Sequence, residues 1–284
     1  MNRFALVDGS PGSKRFELEV VASESAVSCC LAVTIPPLRE FIPCGRVVKS
    51  LYETCLCYCR VVIMLLMKRS ELLDELASRI IAIEKSHPVR VGIDGVDAAG
   101  KTTLADDLVS HVEARGRPVI RASIDGFHNP AEVRHQRGKS SPEGYYLDSF
   151  NYNALTKHLL IPLGPEGALQ YRTQVFDFRT DREVATELLP ADPNAVLLFD
   201  GVFLLRPELK HHWDFTIFVQ TDFGVSLNRA LERDVVLFGT SDRVARRYEE
   251  RYIPGQRIYL ERCQPIQHAT VVVHNNDPRN PTIR

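Results

Sequence analysis

The stretch Val91–Thr103 reads VGIDGVDAAGKTT and contains the residue types that bind nucleotide phosphates. It fits the pattern G-x-x-x-x-G-K-[ST], in which glycines allow several backbone N–H groups to point at one anion. Lys101 can reach the β- and γ-phosphates, and the hydroxyl of Thr102 can bind Mg²⁺. We therefore predict that the chain binds a nucleoside triphosphate. The predicted binding residues are Gly95, Val96, Asp97, Ala98, Ala99, Gly100, Lys101, Thr102 and Thr103.

The segments on either side of this loop support the prediction. Alternation of Val89, Val91 and Ile93 predicts a short strand before the loop, and the spacing of Leu104 and Leu108 predicts a helix after it. The N-terminus of that helix would face the bound phosphate. A chance glycine-rich turn is the alternative, and the flanking strand and helix make it the weaker one.

Two aspartates follow predicted buried strands and are candidates for the remaining chemistry. Asp125 can accept a proton from an acceptor hydroxyl or orient it. Asp200 follows a run of apolar residues, which is the position of an acidic residue that holds Mg²⁺ through water. A helix cap or a turn is the alternative for each. His128 and Asp148 are candidates for binding acceptor hydroxyls, with a structural role as the alternative.

The arrangement of strand and helix patterns predicts an α/β protein with a P-loop NTPase fold. Its doubly wound, mostly parallel sheet would have five strands, and ligands would lie at their carboxyl ends. Residues 170–178 and 183–189 are predicted to form a small β-hairpin beside the sheet. The arginines between residues 229 and 251 can supply a lid that closes over the phosphates, with two or three of them touching ligand.

Charge and hydropathy exclude several other classes of protein. The 284-residue chain has a formal net charge of −1, which gives no electrostatic reason to expect nucleic acid or a membrane surface as partner. The longest apolar run, Val61–Met67, is too short to span a bilayer. No secretory signal is recognisable at the N-terminus, so a cytoplasmic location is expected. The sequence leaves the oligomeric state open, and a homo-oligomer is one alternative.

The N-terminal region differs in character from the rest of the chain. Residues 1–66 show no sustained periodicity and are predicted to be a poorly ordered extension of the domain at 67–284. Translation from Met64 or Met67, with an over-extended gene model, would explain the difference. A targeting or regulatory extension is the alternative. Six of the seven cysteines precede residue 60, in a spacing that fits neither a common zinc site nor, without secretion, a disulfide framework.

Together these motifs resemble the uridine kinase and phosphoribulokinase family of P-loop kinases. The resemblance covers about residues 88–277 and rests on GVDAAGKTT, SIDGFH, YYLDSF, VFDF, LLFDGVFLL and the region RALERD…RRYEERYIPGQ. It implies the use of ATP and Mg²⁺, with Thr102 and Asp200 on the metal and Asp125 as the catalytic base. Lys101 and Arg233 would complete the catalytic group. The implied acceptor contacts are His128, Asp148 on ribose hydroxyls, Phe176 near the base, and the lid residues Arg229 and Arg243.

Three departures from the family pattern concern the acceptor. His128 replaces a tyrosine, Asp200 replaces a glutamate, and FGTSDR replaces the usual R-G-R run of the lid. The leading hypothesis is a kinase for a nucleoside hydroxyl. A kinase for pantothenate, glycerate or a sugar phosphate, and a regulator that binds ATP without turnover, are the alternatives. The presence of Lys101, Thr102, Asp125 and Asp200 together argues against the regulator, since a pure binder needs no carboxylate on the acceptor side.

Overall fold

The computed structural model describes residues 2–6, 16–20 and 69–283. The chain divides into two units, Met1–Leu56 and Cys57–Arg284. In the first unit, strands β1 (Asn2–Leu6) and β2 (Phe16–Val20) pair antiparallel, which the sequence analysis did not anticipate. The predicted poorly ordered state of residues 1–66 falls mostly outside the described residues. That prediction and the domain boundary at residue 67 stay untested.

The second unit is built on a six-stranded sheet with the order β12-β11-β10-β3-β9-β4. Its strands are β3 (Val89–Gly95), β4 (Val119–Ser123), β9 (Val196–Asp200), β10 (Phe215–Gln220), β11 (Val271–His274) and β12 (Thr282–Ile283). The first five are parallel, as predicted, and their order places β3 near the middle of the sheet. The sixth is an antiparallel edge strand that the sequence analysis missed, because two residues are too few to show a period.

Helices cover both faces of this sheet. Besides a helix at residues 69–81, which we call α1, they are α2 (Lys101–Glu113), α3 (Ala131–Arg134), α4 (Pro142–Asp148), α5 (Tyr152–Leu155), α6 (Phe223–Arg233), α7 (Val235–Phe238), α8 (Ser241–Arg247), α9 (Ile253–Cys263) and α10 (Pro265–His268). Shorter helical turns occupy Ile124–Phe127, Thr156–Leu160, Lys210–His212 and Tyr248–Tyr252. The doubly wound α/β fold is therefore confirmed.

Each face of the sheet has its own apolar core. Helices α1 and α2 pack on one face, where Leu76 and Leu108 are fully buried against Ile93. Helices α4, α5 and α9 contribute to the core on the other face, which includes Phe199 and Phe203. Because neighbouring residues of β9 point to opposite faces, its run of apolar residues is buried throughout.

The predicted hairpin is present, and helices α6, α7 and α8 occupy the region predicted to form the lid. The hairpin consists of two short antiparallel pairs, β5 (Gln170–Tyr171) with β8 (Leu189–Pro190) and β6 (Phe176–Asp177) with β7 (Arg182–Glu183). In the lid, α6, α7 and α8 surround a small core of Ala98, Ala230, Val244 and Tyr248. Since Ala98 belongs to the glycine-rich loop, this core joins the lid directly to the predicted phosphate site.

Candidate active site

The loop after β3 adopts the conformation that its glycines permit. Gly95 has φ of 151°, and a Cβ atom there would lie 2.5 Å from the carbonyl oxygen of Val219. Gly100 has φ of 93° and directly precedes α2, whose first residue is Lys101. Both positions therefore require glycine. The free N–H groups at the start of α2 are suited to binding an anion.

Lys101 is buried at the centre of the loop. Its Nζ donates a hydrogen bond of 2.7 Å to the carbonyl oxygen of Val96, which occupies one of its three donors. Burial lowers the pKa of Lys101, whereas the nearby carboxylates of Asp97, Asp200 and Asp94 act in the opposite direction. The three carboxylates thus favour the charged form of Lys101, which suits it to neutralising phosphate charge.

Thr102 and Asp200 lie together at the end of β9. The hydroxyl of Thr102 donates to Oδ2 of Asp200 over 2.6 Å. Oδ1 of Asp200 is buried, and no donor meets it with hydrogen-bond geometry, although Nη2 of Arg121 lies 2.7 Å away as a charge contact. A hydroxyl beside a carboxylate fits Mg²⁺, which takes one or two carboxylates together with phosphate oxygens. Within the described residues, at this site and elsewhere, no three His, Cys, Asp or Glu side chains lie close enough together to hold a metal ion by themselves.

Asp125 lies on the wall of a cleft of about 480 Å³ that also contains Lys101, Thr102 and Asp200. By surface area Asp125 is an exposed residue, although its carboxylate lies among the protein atoms that line the cleft. Burial and the negative charge of Asp200 raise the pKa of Asp125, and Lys101 counteracts this. Within the described part of the chain, the carboxylate of Asp125 makes no hydrogen bond or ion pair, so it is free to meet a ligand.

His128 forms an aromatic wall of the same cleft with two phenylalanines. Its ring lies 4.6 Å from the ring of Phe150 and 4.6 Å from that of Phe178, measured between centroids. Burial lowers the pKa of His128 to about 4, despite the hydrogen bond between its Nδ1 and the carbonyl oxygen of Asp125. The imidazole is therefore neutral at physiological pH, and the wall is an uncharged aromatic surface.

Two predicted acceptor contacts lie outside the lining of this cleft. Oδ2 of Asp148 accepts a hydrogen bond of 2.9 Å from Nε of Arg137, and the side chain is buried. Phe176 is buried within β6, whereas Phe178, two residues further on, reaches the cleft. Phe176 and Phe178 both belong to the VFDF segment and the sequence did not distinguish them. The acceptor contacts predicted for Asp148 and Phe176 are untested.

The three predicted lid arginines occupy different places. Arg233 lines the cleft and is held by its neighbour Asp234, with 2.6 Å between Nε and Oδ1, a contact that raises its pKa. Arg229 supports the loop from behind, where its guanidinium donates to the carbonyl oxygens of Ala98 and Ala99 at 3.4 Å. Arg243 lies outside the cleft, in a second pocket described below.

The sequence analysis missed a network around the side chain of Asp97. Its Oδ2 accepts hydrogen bonds from Oη of Tyr145 at 2.7 Å and from Nε2 of Gln256 at 3.0 Å. The backbone N–H of Asp97 donates to Oε1 of Gln256 at 2.7 Å. Burial raises the pKa of Asp97. Tyr145 and Gln256 belong to the YYLDSF and PGQ segments, but their contact with the loop spans up to 159 residues and has no local signal.

Ala99 and Thr103 of the predicted loop do not line the cleft. The carbonyl oxygen of Ala99 accepts from Nδ2 of Asn275 at 2.7 Å. Thr103 is exposed in the first turn of α2. The predicted site residues that line the cleft are Asp97, Ala98, Lys101, Thr102, Asp125, His128, Asp200 and Arg233. The role of each residue stays a prediction.

The fold and the loop define a P-loop kinase, and comparison with known proteins gives the family. The model of the family described as Phosphoribulokinase / Uridine kinase matches residues 90–277, and the chain belongs to this family. The chain is 27% identical to uridine-cytidine kinase B of Dictyostelium discoideum over 189 residues, which is 66% of this chain and 74% of that protein. It is also 27% identical to a uridine kinase of Bacillus cereus over 179 residues, or 61% of this chain and 80% of that protein.

Solved structures show the same fold. A possible uridine kinase from Bacillus stearothermophilus superposes with a TM-score of 0.56 at 24% identity, covering 72% of this chain and 97% of that one. A putative fructose transport system kinase from Silicibacter sp. TM1040 gives a TM-score of 0.56 at 20% identity, covering 66% of this chain and 94% of that one.

Family membership makes this chain an ATP-dependent kinase that phosphorylates a hydroxyl group. In its described residues, no helix is long and apolar enough to cross a membrane; the cytoplasmic location stays a prediction.

Proposed function

We propose that the protein transfers the γ-phosphate of ATP to a hydroxyl of a nucleoside. The observation that carries this proposal is the unpaired carboxylate of Asp125, which faces the cleft shared with Lys101 and Asp200. A protein that only binds ATP has no need of such a group. The curated relatives are kinases of uridine or of uridine and cytidine by name, and this supports a nucleoside as the acceptor.

The aromatic wall supports the same acceptor class. A planar base can pack against His128 and Phe178, because neutral aromatic faces accept stacking without a charge to desolvate. The second candidate is a kinase for another small hydroxylated metabolite, such as pantothenate, glycerate or a sugar phosphate. Two departures from the family pattern support this second candidate: His128 in place of a tyrosine, and the altered sequence of the lid.

The reaction assigns one task to each group in the cleft. Asp125 orients the acceptor hydroxyl and takes its proton as the oxygen bonds to the γ-phosphorus and the bond to the β-phosphate oxygen breaks. Lys101 and Arg233 stabilise the charge on the transferring group, and ADP leaves. Thr102 and Asp200 would hold Mg²⁺, which supplies further charge neutralisation when bound.

The proposal is tested by an acceptor screen. The purified protein is incubated with ATP and Mg²⁺ against nucleosides and common hydroxylated metabolites, and ADP release is measured for each. We expect release that depends on a nucleoside and is nearly abolished in Lys101→Ala, because this variant lacks the charge on the β- and γ-phosphates. Release with a different metabolite alone would replace the nucleoside by the second candidate. Equal release by Lys101→Ala would refute the phosphate-loop assignment.

A further inference from the structure

A second pocket lies between the lid and the loop that precedes α4. We call it the basic pocket and define it by Lys139, Arg243, Arg246, Arg247 and Arg251. Its volume is about 380 Å³, within the range of small-molecule sites, roughly 300–1,000 Å³. Among the described residues, Glu250 is the one acid in its lining. Five cations thus face a cavity with one anion.

Arg251 is the buried member of this pocket. The residue is 3% exposed, and its Nη1 donates to the carbonyl oxygens of Gly138 and Lys139 at 3.3 and 2.9 Å. Its Nη2 donates to the carbonyl oxygen of Arg134 at 3.2 Å, while the buried Nε has no acceptor among the described residues. A buried guanidinium without a carboxylate is costly, because carbonyl dipoles compensate the charge only in part.

Aromatic rings lie against two of these cations, Arg247 over Phe238 at 5.2 Å and Arg251 over Tyr145 at 5.8 Å, but carboxylates do not pair with them. Within residues 69–283, none of the five cations has a carboxylate within 4.0 Å. Glu250 instead accepts a hydrogen bond from the hydroxyl of Ser140 at 3.3 Å. The same positive charge acts on the neighbouring His135. Burial lowers the pKa of His135 most, and the charges of Arg251, Arg134, Arg247 and Lys139 lower it further.

The basic pocket is distinct from the cleft that contains the phosphate loop. None of the loop residues and neither Asp125 nor Asp200 lines it, although both cavities share Leu237 and Phe238 as a wall. Lys139 belongs to the segment of the chain between Asp125 and Asp148. The basic pocket is therefore a cavity next to the nucleotide cleft, and its cations lie outside the phosphate loop.

We propose that the basic pocket binds the phosphate group of a small phosphorylated molecule, which connects the 134–140 loop to α8 of the lid. Guanidinium groups suit this ligand, since each can donate two parallel hydrogen bonds to phosphate oxygens. The phosphate has two possible sources. It is carried either by the acceptor itself or by a separate effector, and only the first source rests on the proposed function.

Binding is tested with inorganic phosphate as the probe. Equilibrium dialysis with radiolabelled phosphate is carried out at constant ionic strength on the full chain, with a non-hydrolysable ATP analogue and Mg²⁺ filling the nucleotide site. We expect one phosphate site per chain whose Kd rises about tenfold or more in the Arg243→Gln/Arg246→Gln double variant. Both side chains are exposed, so the fold should survive, and Lys139→Gln on the opposite wall provides an independent variant.

A matched control uses an arginine from another part of the fold. Arg79→Gln removes the same charge from α1, where Arg79 pairs with Glu75 at 2.7 Å, and it should leave the Kd for phosphate unchanged. The absence of a phosphate site beyond the nucleotide site would overturn the proposal. So would a Kd that neither the double variant nor Lys139→Gln changes, or one that Arg79→Gln changes equally.

The source of the phosphate is decided by kinetics. Phosphorylated sugars and nucleoside monophosphates are added to the wild-type protein with ATP, and both ADP and the added compound are quantified. Consumption of the compound in proportion to ADP identifies it as the acceptor, whereas a changed kcat/KM for an unphosphorylated acceptor without consumption identifies an effector. If the acceptor screen fails entirely, the dialysis result still stands, so the two proposals fail separately.

Discussion

Asp94 is a buried carboxylate directly before the phosphate loop. It accepts hydrogen bonds from the N–H groups of Gly95 and Leu205, at 2.7 and 3.3 Å, and from the hydroxyl of Tyr259. Burial outweighs these contacts and raises the pKa of Asp94 to about 6. The folded protein therefore binds this proton more tightly than the unfolded chain, so the stability that the proton contributes is lost as pH rises from about 4 to about 6.

The substitution Asp94→Asn removes the carboxyl group that titrates. Between pH 4 and pH 7.5 the free energy of unfolding of the wild type should fall relative to that of the variant by at most about 3 kcal/mol. Denaturant unfolding of both proteins at these two pH values measures the difference, and other titrating groups largely cancel in the comparison. A difference between the two proteins that is the same at both pH values would contradict the prediction.

At the scale of elements, the close packing of the loop against β10 has a direct test. In Gly95→Ala the new Cβ would lie 2.5 Å from the backbone oxygen of Val219, which cannot move without disturbing the sheet. We expect a loss of about 1–3 kcal/mol in the free energy of unfolding, together with weaker ATP binding. Thermal and denaturant unfolding, with a titration of ATP, would measure both effects.

Gly224 provides the matched control for this substitution. It lies in the first turn of α6, and a Cβ atom there meets nothing within 4 Å. Gly224→Ala should leave ATP binding unchanged and stabilise the protein by up to about 1 kcal/mol. If Gly95→Ala is tolerated as well as Gly224→Ala, the close contact between the loop and β10 is not a constraint on the sequence.

Elements also show where sequence patterns are informative. Strand β3, the loop and α2 are contiguous in the chain, so their motif and periodicity predicted them. The ends of β4 and β9 could be recognised as ligand-binding positions because parallel strands share a carboxyl edge. Positions set by distant packing had no such signal. Examples are the location of Arg229 behind the loop and the pairing of Asp148 with Arg137.

At the scale of the whole molecule, the domain boundary is open to a truncation test. A chain that starts at Met67 retains Arg69, whose Nη2 contacts Oδ2 of Asp107 at 2.7 Å and whose Nη1 contacts the carbonyl oxygen of Pro278 at 3.0 Å. These contacts hold α1 against the domain. We expect the truncated protein to fold and to bind ATP like the full chain. Insolubility, or a Tm many degrees lower, would mean that residues 1–66 contribute to the domain.

The central claim is that Asp125 acts on the acceptor, and Asp125→Asn tests it most directly. The substitution preserves size and removes the charge and the proton affinity. With both substrates saturating, kcat should fall by about a hundredfold or more, while the Kd for ATP changes little because the phosphates are held around Lys101. Because the pKa of Asp125 is raised, the wild-type kcat should also decline on acidification from a higher pH than for an ordinary aspartate. An unchanged kcat in Asp125→Asn would contradict the account.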